Sequence, residues 1–202
     1  MTAQPAQATD TRELIVESAF TCFGRQGLDK ATIVDIAKEA GVSRSTFYEY
    51  FSDKGAIIEA CAEHASERFY REMSRAMDRG GSLEDKLSQA AVFVTQARRS
   101  IASEKYFDED AVSLLLTKDA AVLLRECVDF FKPYLSAARL TGEVRKDLDA
   151  EAAAEWFARI LFSLFSTPSS IRDLGDPDVA AEFVRAHVVR GFAGERPRPR
   201  RG

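Results

Sequence analysis

Ser43, Arg44, Ser45, Thr46, Tyr48 and Tyr50 crowd into residues 43–50. Hydroxyls and a guanidinium are the donors that engage phosphate oxygens and base edges. Phe47 and Phe51 stand four apart, so on a helix they share one buried face. Arg44, Ser45, Thr46, Tyr48 and Tyr50 are then left pointing outward, and Ser43 is placed to N-cap. Two outward tyrosines on a short polar helix are poor core material and good contacts for phosphates and bases.

Such a helix needs a base. In the segment before it, Ile36, Ala37 and Ala40 form one apolar face, and Thr32 with Asp35 resembles a capping box that starts their helix. Gly41-Val42-Ser43 turns the chain, with Gly41 free to take positive φ and Val42 filling the corner. Residues 32–51 therefore read as a helix-turn-helix. Before it, Ile15, Ala19, Cys22 and Phe23 repeat with helical spacing over about 11–26, stopped by Gly27. After it, Ser52-Asp53 caps a fourth helix to about residue 79, roughly 39 Å long at 1.5 Å per residue. Ile58, Cys61, Ala62, Ala65, Phe69, Met73 and Ala76 form its apolar stripe, and Gly80-Gly81 ends it.

The remaining chain continues in helical period. Leu83, Leu87, Ala90, Ala91, Val94, Ala97 and Ile101 mark one helix, a shorter one is expected over 104–116, and another over 119–140 with a kink at Pro133. Asp149 is a plausible N-cap for a helix over 150–167 that is apolar nearly all round. Asp176-Pro177 supplies an N-cap and first-turn proline for a last helix ending near 191. The fold class is all-α, about nine helices without an internal repeat. It divides into an unstructured lead (1–10), a helix-turn-helix domain (11–55) running into the connecting helix (53–79), a larger helical domain (82–192) and a basic tail (193–202).

Composition bounds the function. With 46% apolar and 30% charged residues the chain is an ordinary soluble globular protein. No apolar run approaches the roughly 18 residues of a membrane span, and MTAQPAQATD lacks the basic start and apolar stretch of a signal peptide. Cys22, Cys61 and Cys127 are odd in number and far apart, which predicts buried free thiols in a reducing cytoplasm. Net charge is −4 overall, and residues 1–55 carry six basic and eight acidic side chains. Phosphate attraction must then be weak or locally concentrated. RPRPRRG at the C-terminus is read as a solubilising tail or as a supplementary phosphate contact.

Phe23, Gly27, Thr32, Ile36, Ala37, Ala40-Gly41-Val42-Ser43, Thr46-Phe47-Tyr48, Tyr50-Phe51 and Lys54 together resemble the DNA-binding domain of the TetR/AcrR family of bacterial transcriptional repressors. The resemblance covers roughly residues 11–58. It implies nine or ten helices, a homodimer, and a variable C-terminal pocket whose ligand controls DNA affinity. It also implies that Tyr48, Tyr50 and Lys54 hold phosphates, while Arg44 and Thr46 approach base edges, Arg44 best suited to guanine O6 and N7. Thr32 stands at a helix N-terminus that can take a phosphate. Two residues depart from the family pattern. Glu49 places a carboxylate on the recognition helix, facing away, accepting from a cytosine amine, or repelling phosphate. Gly55 replaces a common acidic residue and loosens the helix start.

The second part carries no sharp motif. Its aromatics read as core and dimer seam, or as a cavity. For the cavity the candidates are Phe93, Phe107, Phe131, Tyr134, Trp156 and Arg159, taking a small apolar or amphipathic effector. For a dimer built from the last two helices they are Leu161, Leu164, Phe165, Phe183, Val184, His187 and Val188. No metal-ligand spacing, phosphate loop, dinucleotide fingerprint or nucleophile elbow appears, so neither catalysis nor a cofactor is expected. The reading is a cytoplasmic, ligand-responsive repressor binding double-stranded DNA on a pseudo-palindromic operator. Its alternatives are a helical carrier of lipid-like ligands without DNA binding, and a DNA binder that activates or organises chromosomes.

Overall fold

A computed structural model describes residues 6–103, 120–167, 169–187 and 191–192. Among these the chain is all-helical: α1 (Ala6–Gln26), α2 (Ile33–Glu39), α3 (Arg44–Tyr50), α4 (Lys54–Met77), α5 (Leu83–Ser103), α6 (Ala120–Thr141), α7 (Ala150–Ser166) and α8 (Pro177–His187). The helix expected over 104–116, the candidates Phe107 and Val188, and the basic tail lie outside the described residues. α1 begins at Ala6, inside the stretch expected as an unstructured lead. Ala6, Gln7 and Ala8 are good helix formers.

The chain divides into two compact units, Met1–Tyr70 and Arg71–Gly202, with α4 contributing residues to both. In the first unit one core joins the helices. Ile15, Val16 and Ala19 of α1, Ile36 and Ala37 of α2, Phe47 and Phe51 around α3, and Ile57 and Cys61 of α4 are all buried. Cys61 donates its thiol to the Val16 carbonyl at 3.7 Å, and burial pushes its pKa to about 11. Gly27 and Gly41 take φ of +83° and +66°, the left-handed conformation needed where α1 and α2 end.

In the second unit α6 packs most extensively on α7, and α5 on α8. Phe131, Leu135 and Phe157 are fully buried between the first pair, with Leu87, Ala90 and Val184 between the second. α6 continues through Pro133, the position expected to kink it. Asp149 caps α7 by accepting from the Glu151 and Ala152 amides, and Asp176 caps α8 by accepting from Asp178 and Val179. A capping box that sequence reading overlooked starts α5: Ser82 Oγ donates to Asp85 at 2.8 Å, and the Asp85 amide donates back to Ser82 Oγ. Among the described residues no helix is long and apolar enough to cross a membrane, and no cluster of His, Cys, Asp or Glu is placed to hold a metal.

Candidate nucleic-acid interface

α3 is held from beneath by two aromatic rings. Phe47 is fully buried and Phe51, its C-cap, nearly so, with ring centroids 5.6 Å apart. Ser43 caps the other end: its Oγ accepts from the Thr46 amide at 3.0 Å and lies 2.7 Å from Ser45 Oγ and 2.9 Å from Thr46 Oγ1. A helix of this length is marginal alone, so the cap and the rings fix the direction in which its other side chains point.

Arg44, Ser45, Tyr48 and Glu49 project into solvent, Tyr48 with 46% of its surface exposed and its ring edge-on to Phe47. No carboxylate engages Arg44 among the described residues. Two expected outward residues sit differently. Tyr50, three residues beyond Phe47, flanks the buried face and packs against the core. Thr46 is half-buried with its hydroxyl turned to Ser43. The exposed donors of α3 without a hydrogen bond among the described residues are thus fewer than the sequence pattern implied, Arg44 and Tyr48, while Ser45 is exposed with its hydroxyl on Ser43.

Thr32 and Lys54 stand at the starts of the two neighbouring helices. Thr32 is the N-cap of α2, and both its amide and its hydroxyl donate to Asp35, at 3.0 and 2.6 Å. Those bonds hold the Asp35 carboxyl below its ordinary pKa, the Thr32 hydroxyl contributing most. They also engage the Thr32 hydroxyl and amide at the helix N-terminus expected to take a phosphate. Lys54 opens α4, and its ammonium donates to the Asp29 carbonyl at 3.1 Å, tying the helix start to the α1–α2 loop. Asp53 accepts from the Ala56 amide at 2.9 Å, so the start of α4 is capped despite Gly55. A Cβ at Gly55 would approach that carboxylate to 3.1 Å, so a larger residue would require the Asp53 side chain to give way slightly.

Two basic residues acquire meaning only in three dimensions. Arg25 of α1 makes a forked pair with Glu39 of α2, at 3.0 and 3.2 Å. Arg12 of α1 lies over the Phe51 ring, its guanidinium carbon 5.4 Å from the centroid. Neither pairing has a signature in local sequence, because the partners sit on different helices.

In the second unit the described pocket candidates stand in different surroundings. Phe131 is a core ring packed edge-on against Phe157 at 4.9 Å. Tyr134 Oη lies 3.2 Å from Ser74 Oγ, Phe93 is half-buried, and Arg159 is exposed and paired with Glu155. Trp156 is on the exposed side of α7, edge-on to Phe192 at 5.9 Å, and lines an open recess of about 280 Å³ with Arg145 and Leu148. Of the expected dimer residues, Leu161, Leu164 and Val184 are buried within the protomer's own packing. Phe165 and Phe183 keep part of their surface, and His187 is exposed, its ring 5.2 Å from that of Phe183.

A short capped helix carrying exposed donors on an aromatic base, preceded by a tight turn and a bracing helix, defines a helix-turn-helix DNA-binding unit. Residues 15–61 match the family described as bacterial regulatory proteins, tetR family. The HTH-type transcriptional regulator YvdT of Bacillus subtilis is 47% identical over 60 residues, a match covering 30% of this chain and 31% of YvdT. The HTH-type transcriptional regulator TtgR of Pseudomonas putida is 29% identical over 186 residues, covering 84% of this chain and 87% of TtgR. Among solved structures, the TetR family repressor AlkX of a Dietzia species aligns with a TM-score of 0.58 at 25% identity, over 89% of this chain and 95% of AlkX. Residues 15–61 thus carry the helix-turn-helix of the tetR family, and the chain is similar to regulators of that type over most of its length.

Proposed function

We propose that this protein is a cytoplasmic, sequence-specific DNA-binding repressor that acts as a homodimer on a pseudo-palindromic operator and is released by a small apolar or amphipathic effector. The observation that carries the DNA-binding part is the face of α3, where Arg44, Ser45 and Tyr48 are exposed above the buried rings of Phe47 and Phe51. Arg44 reads a base edge, guanine fitting its fork best, and Tyr48 takes a phosphate. Lys54 adds its charge from the start of α4. In a two-fold dimer two such helices enter successive major grooves about 34–36 Å apart.

The regulatory part rests on composition. α6 and α7 carry many aromatics, and α4 is shared between the two units. An effector bound among α5–α7 acts through α4 by favouring a state in which Lys54 and α3 leave DNA register. Turning the population from mostly competent to mostly incompetent requires about 5.5 kcal/mol of differential affinity. Burial of roughly 200 Å² of apolar surface at ~25 cal/mol per Å² is of that order.

The experiment is selection of bound sequences from a random duplex pool, with wild type and an Arg44→Ala/Tyr48→Ala control. These exposed positions are chosen over Lys54, whose bond to Asp29 also supports the fold. Recovery of a palindrome that the control loses supports the reading. A pool without any preferred sequence rejects it and favours a ligand carrier.

A further inference from the structure

The basic side chains of the first unit are not equally available to phosphate. Arg25 is occupied by Glu39 in a forked pair, and the Lys54 ammonium rests on the Asp29 carbonyl. Arg12 is different. It is exposed, no carboxylate engages it among the described residues, and its guanidinium lies over the Phe51 ring. Packing on a ring face uses the flat side of the guanidinium and leaves its edge N–H donors for other partners. The ring also restricts the side chain, so less freedom is lost when those donors are engaged.

Its location gives the arrangement a use. Phe51 is the C-cap of α3, and Arg44 is the first residue of that helix. Unpaired guanidiniums therefore stand at both ends of α3. Seven residues at 1.5 Å each span about 10 Å, close to the roughly 12 Å width of a major groove, which has a phosphate strand along each lip. We propose that Arg12, contributed by α1 and held by Phe51, binds a backbone phosphodiester beside the C-terminal end of the recognition helix. It supplies a sequence-independent contact in a unit whose net charge offers little general attraction. This inference rests on the DNA-binding reading above.

The test uses the full-length protein on the duplex selected from the random pool, with affinity measured across a range of KCl concentrations. Arg12→Gln removes the charge. Arg12→Met removes it while keeping an unbranched apolar stem over Phe51, which separates charge from packing. Arg12→Lys keeps the charge. Both neutral variants are expected to bind more weakly at low salt and to select the same sequence. Their slope of log affinity against log salt is expected to be shallower by about 0.9 for each protomer bound. Arg12→Lys is expected to keep the wild-type slope. A wild-type slope in Arg12→Met overturns the proposal and leaves Arg12 as a cover for Phe51. If wild type selects no sequence, and Tyr48→Ala binds DNA as wild type does, the DNA-binding reading itself falls and takes this inference with it.

Discussion

α3 and α7 are both amphipathic, yet they divide their residues in opposite ways. α3 fully buries only Phe47 and turns Arg44, Ser45, Tyr48 and Glu49 to solvent. α7 buries Ala150, Ala153, Ala154, Phe157, Ala158, Leu161 and Leu164. One helix is mostly display and the other mostly scaffold. A displayed residue is unexplained by folding, so its type points to an outside partner. A scaffold residue is already explained by its neighbours, and nothing in its type separates core from cavity wall or dimer seam.

Deleting the two buried rings is the hardest way to test that division. Phe47→Ala and Phe157→Ala each empty a fully buried site, and each is expected to cost about 3–5 kcal/mol in denaturant unfolding. Their effects on DNA are expected to part. Phe47→Ala removes the platform of α3 and abolishes operator binding, while Phe157→Ala spares it under conditions where the second unit remains folded. Operator binding that survives Phe47→Ala would mean that α3 is not the reading helix.

The displayed face is expected to respond in the reverse sense. Arg44→Ala should lose about 1–3 kcal/mol of binding to the preferred sequence and relax the preference at one base pair, with stability within about 0.5 kcal/mol of wild type. Tyr48→Ala should weaken binding about tenfold across sequences, as a phosphate contact does. Val122→Ser in the second unit, at a site 60% exposed, should alter neither quantity. Gel-shift titration paired with thermal unfolding reads both. If Arg44→Ala lowers stability and affinity together, the distinction between display and scaffold fails at its clearest residue.

The same contrast explains what was legible in the sequence. Caps and turns were, because their chemistry is local. Thr32–Asp35, Ser43, Gly41, Asp149 and Asp176-Pro177 each act within a few residues, and each is found in its expected role. The outward set on α3 was legible to the accuracy of helical spacing, which placed Tyr50 outward although i+3 from Phe47 lies at the edge of the buried face. Arg12 over Phe51 and Arg25 on Glu39 were not legible, since each joins residues from different helices. In the second unit the sequence pattern found a helix rich in aromatics but not its facing. Trp156 and Phe157 are adjacent, yet one is 44% exposed and the other fully buried. Phe131 reads by type as core or cavity wall, and its burial against Phe157 is visible only in the fold.

Removing a cap gives a smaller and more uniform effect. Asp149→Ala leaves the Glu151 and Ala152 amides at the start of α7 without their acceptor, and Ser43→Ala does the same to Thr46 in α3. Each is expected to cost about 1 kcal/mol in denaturant unfolding. Ser43→Ala should in addition weaken DNA binding, because Ser45 and Thr46 lose the hydroxyl that orients theirs. Equal DNA affinity in the two variants would reduce Ser43 to a cap and nothing more.

The finest comparison uses one motif present in both units. Thr32–Asp35 starts α2 and Ser82–Asp85 starts α5, and in each the carboxylate accepts from the hydroxyl and the amide of its partner. Both aspartates are held below their ordinary 3.8, chiefly by the hydroxyl bond and then by the amide; Asp85 is also lowered by Arg185. A carboxyl whose pKa is depressed by folding adds stability above its unfolded value, and the addition is lost as pH falls through the folded one. Asp35→Asn and Asp85→Asn should therefore destabilise at neutral pH, and the gap from wild type should close below pH 3.8. Side-chain NMR titration separates the two sites. Thr32→Ala and Ser82→Ala should each raise the aspartate toward 3.8 yet leave it partly depressed, Asp35 by the remaining amide and Lys38, Asp85 by its amide and the Arg185 guanidinium 3.9 Å away. If Asp35 does not rise at all in Thr32→Ala, the hydroxyl is not its main influence, and the amide and the charge of Lys38 hold it instead.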